Sequence, residues 1–201
     1  IVNSFKLKKQ MQDNFKIKVK CIYNPLDKKV ILSKSKNGKK DKFFYKKNFL
    51  RILNIGRLTE QKDQITILKA LKILKTKKIK FKSIILGNGI EENTLKSYIQ
   101  ENNLSNDIKI RHFIENPYGI IKQSELFILS SKYEGLPNVL LEVATLKKMI
   151  ISTNCPTGPG EILCNAKGGI FFEIGNHKQL SKKIISYYNQ KKKFSKRINY
   201  S

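Results

Sequence analysis

Two acidic side chains, Glu134 and Glu142, are separated by seven residues in the stretch SSKYEGLPNVLLEVATLKKMIIST. Paired carboxylates do one of two things: they work as acid and base across a bond, or they accept hydrogen bonds from hydroxyls. The apolar run Leu126–Leu129 stops at Ser130-Ser131, which reads as a strand entering a turn. Gly135-Leu136-Pro137 then opens a helix, with Pro137 near the first helical position, where a missing N–H costs nothing. Glu134 therefore belongs to the loop past the strand. Glu142 falls roughly one to two turns into the helix, each residue rising about 1.5 Å. The free amides of Asn138 and Val139 point back toward the loop, offering an anion site beside the acids. A hydrolase would need its acid and base facing each other across a glycosidic bond. Here one carboxylate stands at a helix mouth supplied with anion donors, which favours a phosphate neighbour. The bland alternative is one glutamate capping a turn and the other solvated.

A complementary set follows an earlier strand: Gly56-Arg57-Leu58-Thr59-Glu60-Gln61-Lys62-Asp63. Arg57 can fork across two oxygens while Lys62 acts as a point charge, an arrangement suited to a diphosphate. Charge-assisted bonds contribute about 1.5–3 kcal/mol each, more than the about 0.3–1 kcal/mol of a helix dipole. The two cations should dominate. A solvated basic loop is the alternative, although Arg57 is one of only four arginines. Gly87-Asn88-Gly89 ends the next strand, either to admit a ligand close to the backbone or simply to turn the chain. His112 and Phe113 close a further strand on the same edge: a packed or surface histidine, or a nucleobase contact. The five aspartates include no Asp-x-Asp pair, and His112 and His177 stand alone. The expectation is therefore no metal and no cofactor, with neutralisation by Arg57, Lys62 and the helix amides. Cys155-Pro156-Thr157-Gly158-Pro159-Gly160-Glu161-Ile162-Leu163 reads as a stiff loop on that edge, lining a sugar pocket or serving only as a turn. Acids at one end and bases at the other describe a site for a sugar linked to a nucleotide diphosphate.

These residues must be positioned by the body of the chain. Strands are expected at Arg51–Ile55, Lys82–Leu86, Asp107–Arg111, Leu126–Leu129, Met149–Ser152 and Gly169–Phe172. Helices are expected at Gln64–Thr76, Glu91–Asn102, Pro117–Gln123, Pro137–Leu146 and Lys178–Asn189. Such alternation predicts an α/β, Rossmann-like parallel sheet with helices on both faces, its ligands at the carboxyl ends of the strands. The expected division, in the terms of the family resemblance given below, is 1–48, the end of an N-terminal domain with an interdomain strand at 16–24 and a Lys-rich linker over 33–48; 49–190, the ordered nucleotide-sugar-binding body; and 191–201, a basic tail starting a truncated helix. The opening at Ile1 and the polar end read as part of a larger protein, and the same resemblance implies that its N-terminal domain is missing.

The net charge of +26 over 201 residues comes from 37 lysines and 4 arginines, fifteen of the lysines in the first 50 residues. Nucleic-acid readers use arginine forks and clustered stacking aromatics, so no nucleic-acid partner is expected. A solvated lysine face or attraction to an anionic membrane surface fits better. Three cysteines without metal or redox spacing suit a reducing compartment, and no apolar run reaches the about 18 residues of a membrane span. The expected location is cytoplasmic, peripheral on the inner face of the plasma membrane.

Taken together, IYNP, NIGRLTEQKD, LGNG, YEGLPNVLLE and CPTGPGEIL resemble the C-terminal donor-binding domain of retaining glycosyltransferases of family 4, with the GT-B fold, from about Val19 to Tyr188. The resemblance implies transfer of a hexose or N-acetylhexosamine from a nucleotide-diphosphate sugar, most readily UDP-linked, with retention. The acceptor would be a glycan or a lipid-linked glycan, in polysaccharide or lipopolysaccharide synthesis. It implies Glu134 on the sugar hydroxyls, Glu142 on the ribose, Arg57 and Lys62 on the diphosphate, and backbone near His112-Phe113 at the base. The rival reading is a non-catalytic sugar-nucleotide-binding fragment or membrane-docking scaffold.

Overall fold

Strands that read as unbroken apolar runs need cover on both faces. The computed structural model, which describes residues 1–46 and 48–191, supplies it. The strands are β1 (Leu50–Ile55), β2 (Phe81–Leu86), β3 (Ile108–Arg111), β4 (Leu126–Leu129), β5 (Met149–Thr153) and β6 (Ile170–Phe172). They form one parallel sheet in the order β3-β2-β1-β4-β5-β6, and β4 and β5 are buried along their whole length. The helices are α1 (Phe5–Phe15), α2 (Lys28–Asn37), α3 (Gln64–Thr76), α4 (Glu92–Glu101), α5 (Tyr118–Gln123), α6 (Asn138–Thr145), α7 (Pro159–Ile162) and α8 (His177–Asn189).

Alternate strand residues feed two cores. On one face Ile52, Ile85, Ile128 and Ile151 meet Ile67, Leu71 and Leu74 of α3, Leu95 of α4 and Leu180 and Ile184 of α8. On the other, Leu53, Ile84, Phe127 and Ile150 meet Phe44, Ile121 of α5 and Leu140 and Val143 of α6. From β1 the chain winds outward through β2 and β3, then returns to start again at β4. The order therefore reverses between β1 and β4, where parallel sheets open a crevice for ligands. Leu53 pairs with Phe127 at this junction, and the buried Asn54 carboxamide donates to the Ile128 carbonyl at 2.9 Å.

The body matches the sequence expectation in every strand and helix to within a residue or two. The first 48 residues do not. The alternating stretch 16–24 forms no strand: Cys21 alone makes a parallel bridge, to Val2, because the partner segment turns into α1 within three residues. The segment 33–48, expected as a linker, begins inside α2 and continues into a 3-10 turn at Lys42–Phe44. Asp27 caps α2 by accepting from the Val30 amide at 2.9 Å, while Ile31 and Ser35 are buried and the lysines face solvent. The helix α1 was likewise not foreseen; Ser4 caps it by accepting from the Leu7 amide at 3.2 Å. The Pro/Gly loop at 155–163 contains α7, with Pro159 at its start and Gly158 at φ 85. The expected tail at 191–201 lies, beyond Lys191, outside the described residues.

Where α2 ends, its chain crosses α5 with no side chain between the backbones. A Cβ on Gly119 would overlap the Gly38 carbonyl, and one on Gly38 would come 2.5 Å from the Gly119 nitrogen. Gly119→Ala should lower unfolding free energy by about 1–3 kcal/mol through overpacking, read as a lower urea midpoint. An unchanged midpoint would show that this crossing yields freely.

Candidate functional site

The loops after β1 and β4 face each other across the point where strand order reverses. After β1, the Leu58 amide donates to the Asn88 carbonyl at 2.8 Å, and the Glu91 amide returns a bond to the Leu58 carbonyl at 3.0 Å. This approach needs bare backbone: a Cβ on Gly87 would overlap the Gly56 carbonyl, and one on Gly89 the Leu58 carbonyl. The two glycines thus press the β2 loop onto the β1 loop, whereas Gly56 has room, its nearest neighbour being the Lys62 side chain at 3.6 Å. A 3-10 turn at Glu60–Lys62 ends on Asp63, in the left-handed region at φ 47, and α3 follows.

That turn aims Lys62 at the loop after β4. Its Nζ lies 2.5 Å from Glu134 Oε1, and the Ser131 hydroxyl donates to the same oxygen at 2.6 Å. The Lys62 side chain is 16% exposed and that of Glu134 7%, so the pair is largely shielded from water. Backbone and side-chain bonds hold the loops in register around it. Ser130 Oγ donates to the Lys62 carbonyl at 2.7 Å, the Lys132 amide to the Gln61 carbonyl at 2.8 Å, and Gln61 Nε2 to the Tyr133 carbonyl at 2.9 Å. Arg57 is exposed; its carbonyl accepts from Gln64 Nε2 at 2.9 Å, while its guanidinium has no partner among the described residues. An acid, a shielded ammonium and an uncommitted guanidinium therefore share one edge.

The start of α6 completes the arrangement. Pro137 precedes it without a side-chain cap, and Leu136 is buried. The amides of Asn138 and Val139 belong to the first turn, which has no intrahelical acceptors. The Asn138 side chain accepts from Asn24 Nδ2 at 2.7 Å. Gly135 turns the chain beside Asn3, whose Oδ1 lies 3.2 Å from where a Cβ would stand. Glu142 sits on α6 facing Tyr118, whose hydroxyl is 3.5 Å from its Oε1. Burial pushes the Glu142 carboxyl up, and the Tyr118 hydroxyl only partly opposes this.

His112 and Phe113 lie on the outer side of the edge. His112 is exposed, its Nε2 3.4 Å from Glu92 Oε1. The Phe113 amide is engaged by Asn88 Oδ1 at 2.8 Å, and its ring is exposed. Beside them is a hollow of about 250 Å³ lined by Lys39, Asp41, Leu86, Arg111 and Ile120. The structure thus gathers Lys62 and Glu134 into contact, sets Arg57 and the α6 amides on the same edge, and places Glu142 and His112 farther along it with partners of their own. Ser131, Gln61, Tyr118 and Thr157, whose hydroxyl donates to the Glu134 carbonyl, were not singled out from sequence. Only Ser131 carried a signal, as the polar residue just past a buried strand.

A doubly wound parallel sheet with an acid and a base facing each other at the reversal defines a Rossmann-like domain of the GT-B type. The profile described as "Glycosyl transferases group 1" matches residues 35–201, and the chain belongs to that family. It is 38% identical over 169 residues to an uncharacterized glycosyltransferase of Methanocaldococcus jannaschii, MJ1059, covering 82% of this chain and 41% of that one. It is 30% identical over 172 residues to the Campylobacter jejuni N-acetylgalactosamine-N,N'-diacetylbacillosaminyl-diphospho-undecaprenol 4-alpha-N-acetylgalactosaminyltransferase, covering 83% and 44%. The chain thus spans less than half the length of either relative. Among solved structures, TarM of S. aureus, in complex with UDP, superposes with a TM-score of 0.80 at 17% identity over 94% of this chain and 36% of that one. A Rickettsia africae glycosyltransferase gives 0.79 at 23% identity, covering 92% and 52%. No helix among the described residues is long and apolar enough to cross a membrane.

Two outcomes follow from these surroundings. Lys62→Ala leaves Glu134 shielded and unpaired, so stability should fall by about 1–3 kcal/mol; in a double-mutant cycle with Glu134→Ala the double variant should lose less than the sum. Additive losses would deny the coupling. Glu142, raised in the folded state, binds its proton more tightly there than in the unfolded chain. Its contribution is fully present below its unfolded pKa and is lost as pH rises through the folded value. In thermal melts the stability of Glu142→Gln minus that of the unaltered protein should therefore rise between about pH 4 and pH 7; a difference that stays flat or falls over that range would contradict the assignment.

Proposed function

We propose that the chain is the donor-binding, C-terminal half of a retaining glycosyltransferase of family 4, and that its parent protein moves a hexose or N-acetylhexosamine from a UDP-linked sugar to a glycan or lipid-linked acceptor. The observation that carries this is the shielded Lys62–Glu134 pair at the strand-order reversal, beside the free Arg57 guanidinium and the first-turn amides of α6. A pyrophosphate entering there draws Lys62 away from Glu134 and meets Arg57 and the amides of Asn138 and Val139. Glu134, released, accepts from sugar hydroxyls, and Glu142 takes the ribose. The bond from the anomeric carbon to the diphosphate oxygen breaks as the acceptor hydroxyl attacks from the same face and passes its proton to that departing oxygen, the cations stabilising the diphosphate, so the anomeric configuration is kept. The cations and amides here neutralise the diphosphate without calling on a metal.

The naming of the C. jejuni relative and of TarM with UDP supports a UDP-linked donor and a glycan or lipid-linked acceptor; surface polysaccharide synthesis at the cytoplasmic membrane face is part of the same proposal. The lysine-rich surface suits anionic lipid. Capsular polysaccharide and O-antigen glycosyltransferases among the relatives point the same way.

Calorimetric titration with a panel of sugar nucleotides tests the donor half directly. UDP-sugars should bind, and Arg57→Ala should weaken binding by about tenfold or more, the loss of one charge-assisted contact. In the full-length parent, Glu134→Ala should reduce transfer by about a hundredfold or more, and a chelator should leave the rate unchanged. A parent protein inert with every common sugar nucleotide would overturn the reading.

A further inference from the structure

Glu161 does more than any other exposed-edge carboxylate outside the paired acids. Its Oε1 accepts from the Ser4 hydroxyl and from the Lys6 amide at 3.0 Å. Its Oε2 accepts from the Phe5 amide at 2.9 Å and the Tyr23 hydroxyl at 3.2 Å. One anion thus fills the N-terminus of α1, where first-turn amides lack partners and the helix dipole favours negative charge. Burial pushes the Glu161 carboxyl up, but the bonds from Ser4, Lys6, Phe5 and Tyr23 outweigh it and hold it low. Ser4 is fully buried as a result.

The other end of this arrangement is the Glu134 loop. Glu161 lies on α7, and the residues just before it press against 134–137. Thr157 Oγ1 donates to the Glu134 carbonyl, and a Cβ on Gly158 would overlap the Gly135 carbonyl and stand 2.7 Å from Pro137 Cδ. From the side of the N-terminal segment, Asn24 reaches Asn138 and Asn3 reaches Gly135. The segment 1–24 is therefore fastened at Glu161, bonds the start of α6 at Asn138 and lies beside the Glu134 loop at Gly135.

We infer that Glu161 is a positioning residue: by seating α1 on α7 it sets the placement of the Glu134 loop and the α6 amides, and through them the affinity for the donor's diphosphate. This rests on the donor site proposed above and adds a group that acts through the Glu134 loop. It also gives the segment 1–24 a mechanical link to the donor pocket.

Amide exchange and titration with UDP, on the whole chain and on its Glu161→Ala, Glu161→Gln and Ser4→Ala forms, test it. Glu161→Ala should speed exchange at Phe5 and Lys6 and also at residues 134–139, and weaken UDP binding by about tenfold. Glu161→Gln, which keeps the length but loses the charge, should fall between. Ser4→Ala removes one bond of four and leaves α7 untouched; it should move both readouts the same way by less, and it decides the matter if Glu161→Ala does not fold. Faster exchange in α1 with residues 134–139 and UDP affinity unchanged would reduce Glu161 to a helix cap and overturn the proposal. Weaker binding with α1 exchange unchanged would overturn it too. If the unaltered chain binds no UDP, the donor reading fails, and exchange at residues 134–139 alone decides the latch: acceleration upholds it, none ends it.

Discussion

Lys62 and Glu134 are 72 residues apart in the chain and 2.5 Å apart in space, and the remaining geometry of the edge depends on that contact. A largely shielded ion pair is stable only when geometry and supporting hydrogen bonds compensate the loss of water. Ser131 supplies one such bond, and Ser130 and Gln61 fix the two loops that carry the partners. The parallel sheet makes the meeting possible by setting β1 beside β4, so that both chains leave at the same end. A cation already resting on an acid is a poised state: an incoming anion can take the cation only by releasing the carboxylate. Under the proposed reading, donor binding and the arming of Glu134 are one event.

Much of this was legible before coordinates. The apolar runs Leu126–Leu129 and Met149–Ser152 read as strands covered on both faces, and the helical spacing of Ile65, Leu68, Leu71 and Leu74 marked α3. Alternation of the two element types gave the parallel sheet, and with it the edge on which Arg57, Lys62 and Glu134 had to gather. The first 48 residues were misread for two physical reasons. Composition reports what faces solvent, and α2 shows its lysines outward while hiding only Ile31 and Ser35. A helix with so narrow an apolar stripe looks like a linker until the surface it covers is known. The strand expected at 16–24 failed for the complementary reason: alternation describes a strand's faces but cannot supply a neighbour.

The site was less legible than the fold because partners across the chain leave no local trace. Nothing near Tyr118 announces Glu142, and nothing near Ser4 announces Glu161. Glu142 illustrates the cost of such placement. A carboxyl raised by burial is held where its charge is disfavoured, which is a disadvantage for stability once pH rises above its unfolded value. His112, by contrast, faces Glu92 from an exposed position, so its chain neighbour Phe113 contributes backbone already committed to Asn88.

Asn54 lets one further consequence be drawn. Its carboxamide bonds Ile128, 74 residues later, at the centre of the sheet. The middle of the sheet is thus its least local pairing: β1 can pair early with β2, but its other edge must wait for a long stretch of chain to be made and returned. Loop-closure entropy is spent before that contact gives anything back. The seam between β1 and β4 is then slow to form during folding, and until it closes, β1 waits with one hydrophobic border bare.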